Sequence, residues 1–184
     1  MISQNLIDFY NNWSRKAAEN QGNDLASIYD KYTTLFVIYN NLYNQSREVL
    51  VASGVIAPKQ NFDNQNATIY VVRYLGALDI LNNFTASNID TDIDIIIDVI
   101  DKERFHIKLK KGKADRNEDL KILNNLRSAN SEDKAVAILQ VLYNVRCNLF
   151  HGSKDFQEYQ RLLVEPLINI LGTLNRQLFA ELNK

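Results

Sequence analysis

Apolar positions along this chain recur mostly at spacings of three and four, the period of a helix buried on one side. The broadest stripe holds Leu25, Ile28, Tyr29, Tyr32, Leu35, Phe36, Tyr39, Leu42, Tyr43, Val49 and Leu50. It predicts one long helix, capped by Asn23 or Asp24 and ended by Ser53-Gly54. Its aromatic density fits a packed core face better than a cofactor box or a base-stacking platform. Within residues 1–20, Ile2, Leu6, Phe9 and Trp13 predict either a short helix on the body or an arm that docks on a partner. Pro58 marks a connecting loop that runs to about Gln65. Val71, Leu75, Leu78 and Leu81 then predict a helix from about Ala67 to Asn82. Ile93, Ile96, Ile97 and Ile100 predict another, starting between Ser87 and Thr91.

The pattern changes after Asp101. Phe105, Ile107 and Leu109 alternate with polar residues, as in a short extended segment. Leu120, Leu123 and Leu126 return to helical spacing, and Ser131 is the expected cap of the next helix, which carries Leu139, Leu142, Val145 and Leu149. Gly152 is a stop signal, and Asp155 with Glu158 resembles a capping box. A final helix follows through Phe156, Tyr159, Leu163, Leu167, Ile170, Leu174 and Leu178, with a kink expected at Pro166. Together these elements predict an all-α, up-and-down bundle of about five to six helices. No repeat or linker interrupts it, so residues 1–184 read as a single domain.

Composition agrees: 46% hydrophobic residues with only 6 glycines and 2 prolines favours helices over many short strands. The net charge of −1 supplies no global basic field, so contact with nucleic acid would need a local patch. Residues 102–116 offer one. Lys102, Arg104, Lys108, Lys110, Lys111, Lys113 and Arg116 stand against Glu103 and Asp115. The segment is either a phosphate-steering loop for RNA or a solvated loop that balances the acidic helix before it. His106 is expected on its polar side. Asp90, Asp92 and Asp94 lack the glycine and glutamate of a calcium loop, because Ile95 and Asp101 stand there. They read as carboxylates favoured by a helix N-terminus. One cysteine and two histidines make neither a disulfide framework nor a zinc site within the chain, and no cofactor or metal is expected. The first residues lack a signal-peptide pattern and no apolar run approaches the roughly 20 residues of a membrane span. A cytoplasmic protein without membrane contact is the expectation.

Chemistry concentrates in VLYNVRCNLFHG, Val141 to Gly152. Arg146 sits at the edge of an apolar face and needs an anion, acceptors or water, because its charge cannot be lost. His151 titrates near neutrality. Five residues on a helix turn roughly 140° beyond a full circle, so this pair does not share one helical face. It converges only if His151 lies past the last regular turn, or if a second copy faces the first. Cys147 is expected to be a small buried hydrophobe rather than a nucleophile.

The string Arg146-Cys-Asn-Leu-Phe-His151 resembles the R-x4-6-H signature of the HEPN superfamily, small helical bundles that include many prokaryotic ribonucleases. NLFHGSK, Asn148 to Lys154, is similar to one branch of it, and YNNLY at Tyr39 to Tyr43 is a weaker echo. The chain departs from common members in having Cys147 directly after the arginine. Ser153 stands where some toxins carry a modified tyrosine, so that mode of control is not expected.

The resemblance implies a HEPN-like fold and a metal-independent endoribonuclease acting as a homodimer, whose two motifs line one cleft. Arg146 and His151 would be catalytic and Asn148 a supporting polar group, with Lys154, Lys110 and Lys111 contacting RNA. A toxin–antitoxin or defence setting follows, with a cognate antitoxin or other protein partner. Two alternatives stand beside it. One is a non-catalytic HEPN-like module that binds a protein partner or a nucleotide. The other is a dimerisation scaffold that uses the N-terminal aromatic segment.

Overall fold

A computed structural model describes residues 2–110, 112–150 and 157–184. It is an all-α bundle carrying one very short hairpin. Helix α1, Gln4–Glu19, starts at Ser3, whose hydroxyl accepts from the Leu6 amide. It lies on the body: Leu6 and Ala17 are buried, and the Tyr10 ring stacks on Phe179 with centroids 3.7 Å apart. Of the two readings of residues 1–20, the packed helix is the one adopted. Helix α2, Leu25–Ala52, is capped by Asp24, whose Oδ1 accepts from the Ser27 amide at 3.0 Å. Its tyrosines and leucines form the centre of the core, with Tyr32, Tyr39 and Leu42 entirely buried. Its largest interface is with α9, Arg161–Leu182. Arg47 is buried too, donating to the carbonyls of Gln60 and Pro58 and so holding the following loop against α2.

The single helix expected over residues 67–82 is instead divided. The chain forms α3, Asp63–Gln65, a π-helical turn, Asn66–Tyr70, and α4, Val71–Leu75, before α5, Ala77–Ala86. Gly76 makes the break. Its φ of 86° is open to glycine and strained for other residues, and its amide closes α4 on Val72 while its carbonyl opens α5 to Ile80. The break shifts the helical phase, so Leu78, which the spacing placed inside, is 64% exposed. In the π turn the Ala67 carbonyl accepts from the Tyr39 hydroxyl.

Helix α6, Asp90–Asp101, has Asp90 and Asp92 in its first turn. The extended segment expected after it appears as β1, Leu109–Lys110, paired antiparallel with β2, Lys113–Ala114. Helix α7, Arg116–Leu126, is capped by Asp115. Leu120 was expected in its core face but is exposed. The buried stripe is Asp119, Ile122, Leu123 and Leu126, one residue out of phase with that reading. Helix α8, Ser131–Phe150, is capped by Asn130 rather than Ser131: the Asn130 Oδ1 accepts from the amides of Glu132 and Asp133. Before α9 lies a 3-10 turn, Glu158–Gln160, whose capping box joins Gln157 and Gln160. The expected partner Asp155, with Gly152 and Phe156, lies outside the described residues. Tyr159 is exposed.

Helix α9 continues through Pro166 without a break. The proline leaves the Leu162 carbonyl without its usual partner, and Leu162 is on the solvent side, where water can serve it. The bundle thus has more helical segments than the five to six expected. One buried cluster joins α1, α2 and α4 to α9, with Leu50, Ile56 and Tyr70 as a small satellite.

Candidate functional site on helix α8

Leu139, Leu142 and Val145 are fully buried, which fixes the rotation of α8 about its axis. Arg146, the next residue, is half-buried and leaves the helix toward α2. Its guanidinium carbon stands 5.5 Å from the centre of the Phe36 ring, a cation–π distance. The Tyr32 hydroxyl donates to the Leu142 carbonyl at 3.0 Å. The Tyr43 hydroxyl donates to Asp63 Oδ1 at 2.6 Å, and Tyr143, three residues before Arg146, donates to Asp63 Oδ2 at 3.1 Å. One carboxylate is therefore shared between hydroxyls from two helices. Burial pushes the Tyr32 and Tyr43 hydroxyls well above the usual tyrosine range, and the Arg146 charge partly opposes it in both. Tyr143 is raised as well, first by burial and then by Cys147 and Asp63. A guanidinium held flat on an aromatic face can present a planar fork of donors, the geometry that suits phosphate.

Asn148 is engaged elsewhere. Its side-chain amide donates to the Ile107 carbonyl at 2.9 Å, and one turn earlier Asn144 Oδ1 accepts from Lys108 Nζ at 3.3 Å. Positions two apart on a helix stand about 200° around the axis, so Asn144 and Asn148 leave α8 on nearly the opposite flank from Arg146. Residues 102–116 are thereby tied to that flank, and Lys110 sits exposed in β1. Arg146, Asn148 and Lys110 do not converge within one chain. His151, Lys111 and Lys154, also expected at the site, lie outside the described residues.

Two residues stand differently from expectation. Cys147 is half-buried, not enclosed, and with Tyr143, Asn144 and Asn148 it faces the Ile107–Leu109 segment across a cleft of about 240 Å³. His106 is not simply on a polar surface: its Nδ1 lies 3.2 Å from Oδ2 of Asp119, which is completely buried. Asp119 escaped the sequence reading, although its spacing with Ile122, Leu123 and Leu126 is that of one buried helix face and marks it as a polar residue in an apolar row.

Among the described residues no group of three or more His, Cys, Asp or Glu could hold a metal ion, and no helix is long and apolar enough to cross a membrane. No family model, curated protein or solved structure matches this chain.

Proposed function

We propose that this chain is a metal-independent endoribonuclease of HEPN type, working as a homodimer in a toxin or defence setting. The observation that supports this most is Arg146: a permanently charged, half-buried guanidinium set over Phe36, five residues ahead of a histidine and on the helix that precedes the last long one. In the reaction, the His151 imidazole takes the proton from a ribose 2′-hydroxyl, whose oxygen attacks the adjacent phosphorus. The bond to the 5′-oxygen breaks, that oxygen leaves protonated, and a 2′,3′-cyclic phosphate remains. Arg146 holds the phosphate and gains strength as negative charge builds on its oxygens. Lys110, Lys111 and Lys154 steer the RNA. No cofactor takes part in this scheme.

The test is cleavage of RNA in EDTA. Wild-type protein is expected to cut, and Arg146→Ala and His151→Ala each to abolish cutting while unfolding as the wild type does. Cleavage that persists in both variants identifies a contaminant and removes the proposal.

A second reading is favoured by one observation. The Asn148 amide, expected to orient substrate, is committed to the Ile107 carbonyl, a structural role. On that reading the chain is a non-catalytic HEPN-like module that binds a protein partner or a nucleotide, and no RNA is cut under any condition.

A further inference from the structure

The largest cavity in the described residues lies away from α8. It encloses about 560 Å³ between α1, α2, the start of α6 and α9, and none of its lining residues belongs to α8. That volume is within the range of small-molecule sites. Asn175, only 2% exposed, lines it. The amide nitrogen of Asn175 donates to the Leu35 carbonyl at 2.9 Å, which fixes how the side-chain amide is turned. Its Oδ1 is consequently a buried acceptor with no hydrogen-bond partner in the protein. A buried acceptor left without a donor is destabilising, so the site favours whatever brings an N–H or O–H to it.

Charge narrows the class. Lys31 and Arg176 line the same cavity, and neither makes an ion pair among the described residues. Arg176 does donate to the Thr173 hydroxyl at 3.0 Å, which points its guanidinium along α9. The one carboxylate in the wall, Asp92, already accepts from the Asn169 amide, so the lining carries two positive charges against one negative. Gly172 completes the picture. It lies inside α9, where glycine weakens a helix, yet a Cβ added there would meet only Arg176 Nη1 at 3.7 Å, an ordinary contact. Packing of the chain on itself does not require glycine here. Its effect is to leave the chamber open beside Arg176.

The geometry points to this chamber as a binding site for a small organic anion that also carries a hydrogen-bond donor, its anion toward Arg176 and Lys31 and its donor toward Asn175 Oδ1. Two metabolite classes share that chemistry: ribonucleoside 5′-monophosphates, with a phosphate and base amino groups, and amino acids, with a carboxylate and an ammonium.

Isothermal titration calorimetry of the full chain against both sets tests it. One set is expected to bind saturably, and which one shows whether the anion is phosphate or carboxylate. Arg176→Gln is expected to weaken that binding about tenfold, the usual effect of losing one charge-assisted hydrogen bond. Gly172→Met, which fills the chamber from a position where the backbone accepts a side chain, is expected to abolish it. Its unfolding midpoint is expected to be no lower than that of the wild type, which separates lost binding from lost folding. Absence of binding by either set at millimolar concentration overturns the inference. So does binding that either variant leaves unchanged.

Discussion

Asp119 and His106 face each other across the edge of the core, with 3.2 Å between the carboxylate Oδ2 and the imidazole Nδ1. The other carboxylate oxygen, Oδ1, accepts from the Lys108 amide at 2.7 Å. One fully buried side chain on α7 thus organises the turn that leads into the basic hairpin. Asp119→Ala would leave the Lys108 amide without its acceptor and is expected to destabilise the fold by about 2–3 kcal/mol. Asp119→Asn keeps a carbonyl oxygen there and should lose less. Urea unfolding of both variants checks the order, and equal midpoints would mean that the carboxylate does not hold this turn.

Gly76 is the joint between α4 and α5. With φ at 86° and a Cβ that would meet Asp79 Oδ2 at 3.0 Å, Gly76→Ala is expected to destabilise the protein by about 1–3 kcal/mol. A thermal scan measures it, and an unchanged midpoint would show that the break does not depend on glycine.

Alkaline pH should unfold this protein cooperatively. Burial raises the Tyr29 hydroxyl from 10.0 to about 12, and it pushes Tyr32, Tyr39 and Tyr43 up as well. A native-state value above the unfolded one means the contribution to stability is complete below pH 10. It is then lost as the pH rises from 10 through about 12, where unfolded chains ionise and native ones resist. Tyrosinate absorbance and helical circular dichroism followed together should therefore change in a single step in that window. Gradual tyrosine ionisation with the helices intact would contradict it.

Arg146→Lys separates charge from shape. Lysine keeps the positive charge but lacks the planar fork that lies on Phe36. If Arg146 contacts the reacting phosphate, RNA cleavage in EDTA should fall by roughly 10²-fold, the scale of losing one transition-state donor. Stability should change little. Full activity in the lysine variant would place the arginine away from the reacting phosphate.

Asn148→Ala removes the tie between α8 and the Ile107 carbonyl. About 1 kcal/mol of stability should go with it, and residues 102–116 should become more open to limited proteolysis. Loss of cleavage with unchanged proteolysis would instead give Asn148 a role at substrate.

Helix existence and approximate limits were determined by the chain itself. The Leu25 to Leu50 stripe, Asp24 as a cap and the Ser53-Gly54 stop are local signals, and α2 follows them within a residue or two. Periodicity and capping act over one or two turns, so they can be read without knowing what packs where. Other features depended on partners distant in sequence. Asp119 is buried and Leu120 exposed because the Lys108 amide and His106 arrive from another segment to meet the carboxylate. The Asn175 amide is turned by the carbonyl of Leu35, 140 residues away, and that contact alone leaves its oxygen bare in the cavity. Arg146 and Asn148 were neighbours in one motif, yet the burial of Leu142 and Val145 sets the rotation of α8 and sends them to opposite flanks. A polar group inside a fold must be satisfied by whatever the packing brings to it, and that choice belongs to the tertiary structure.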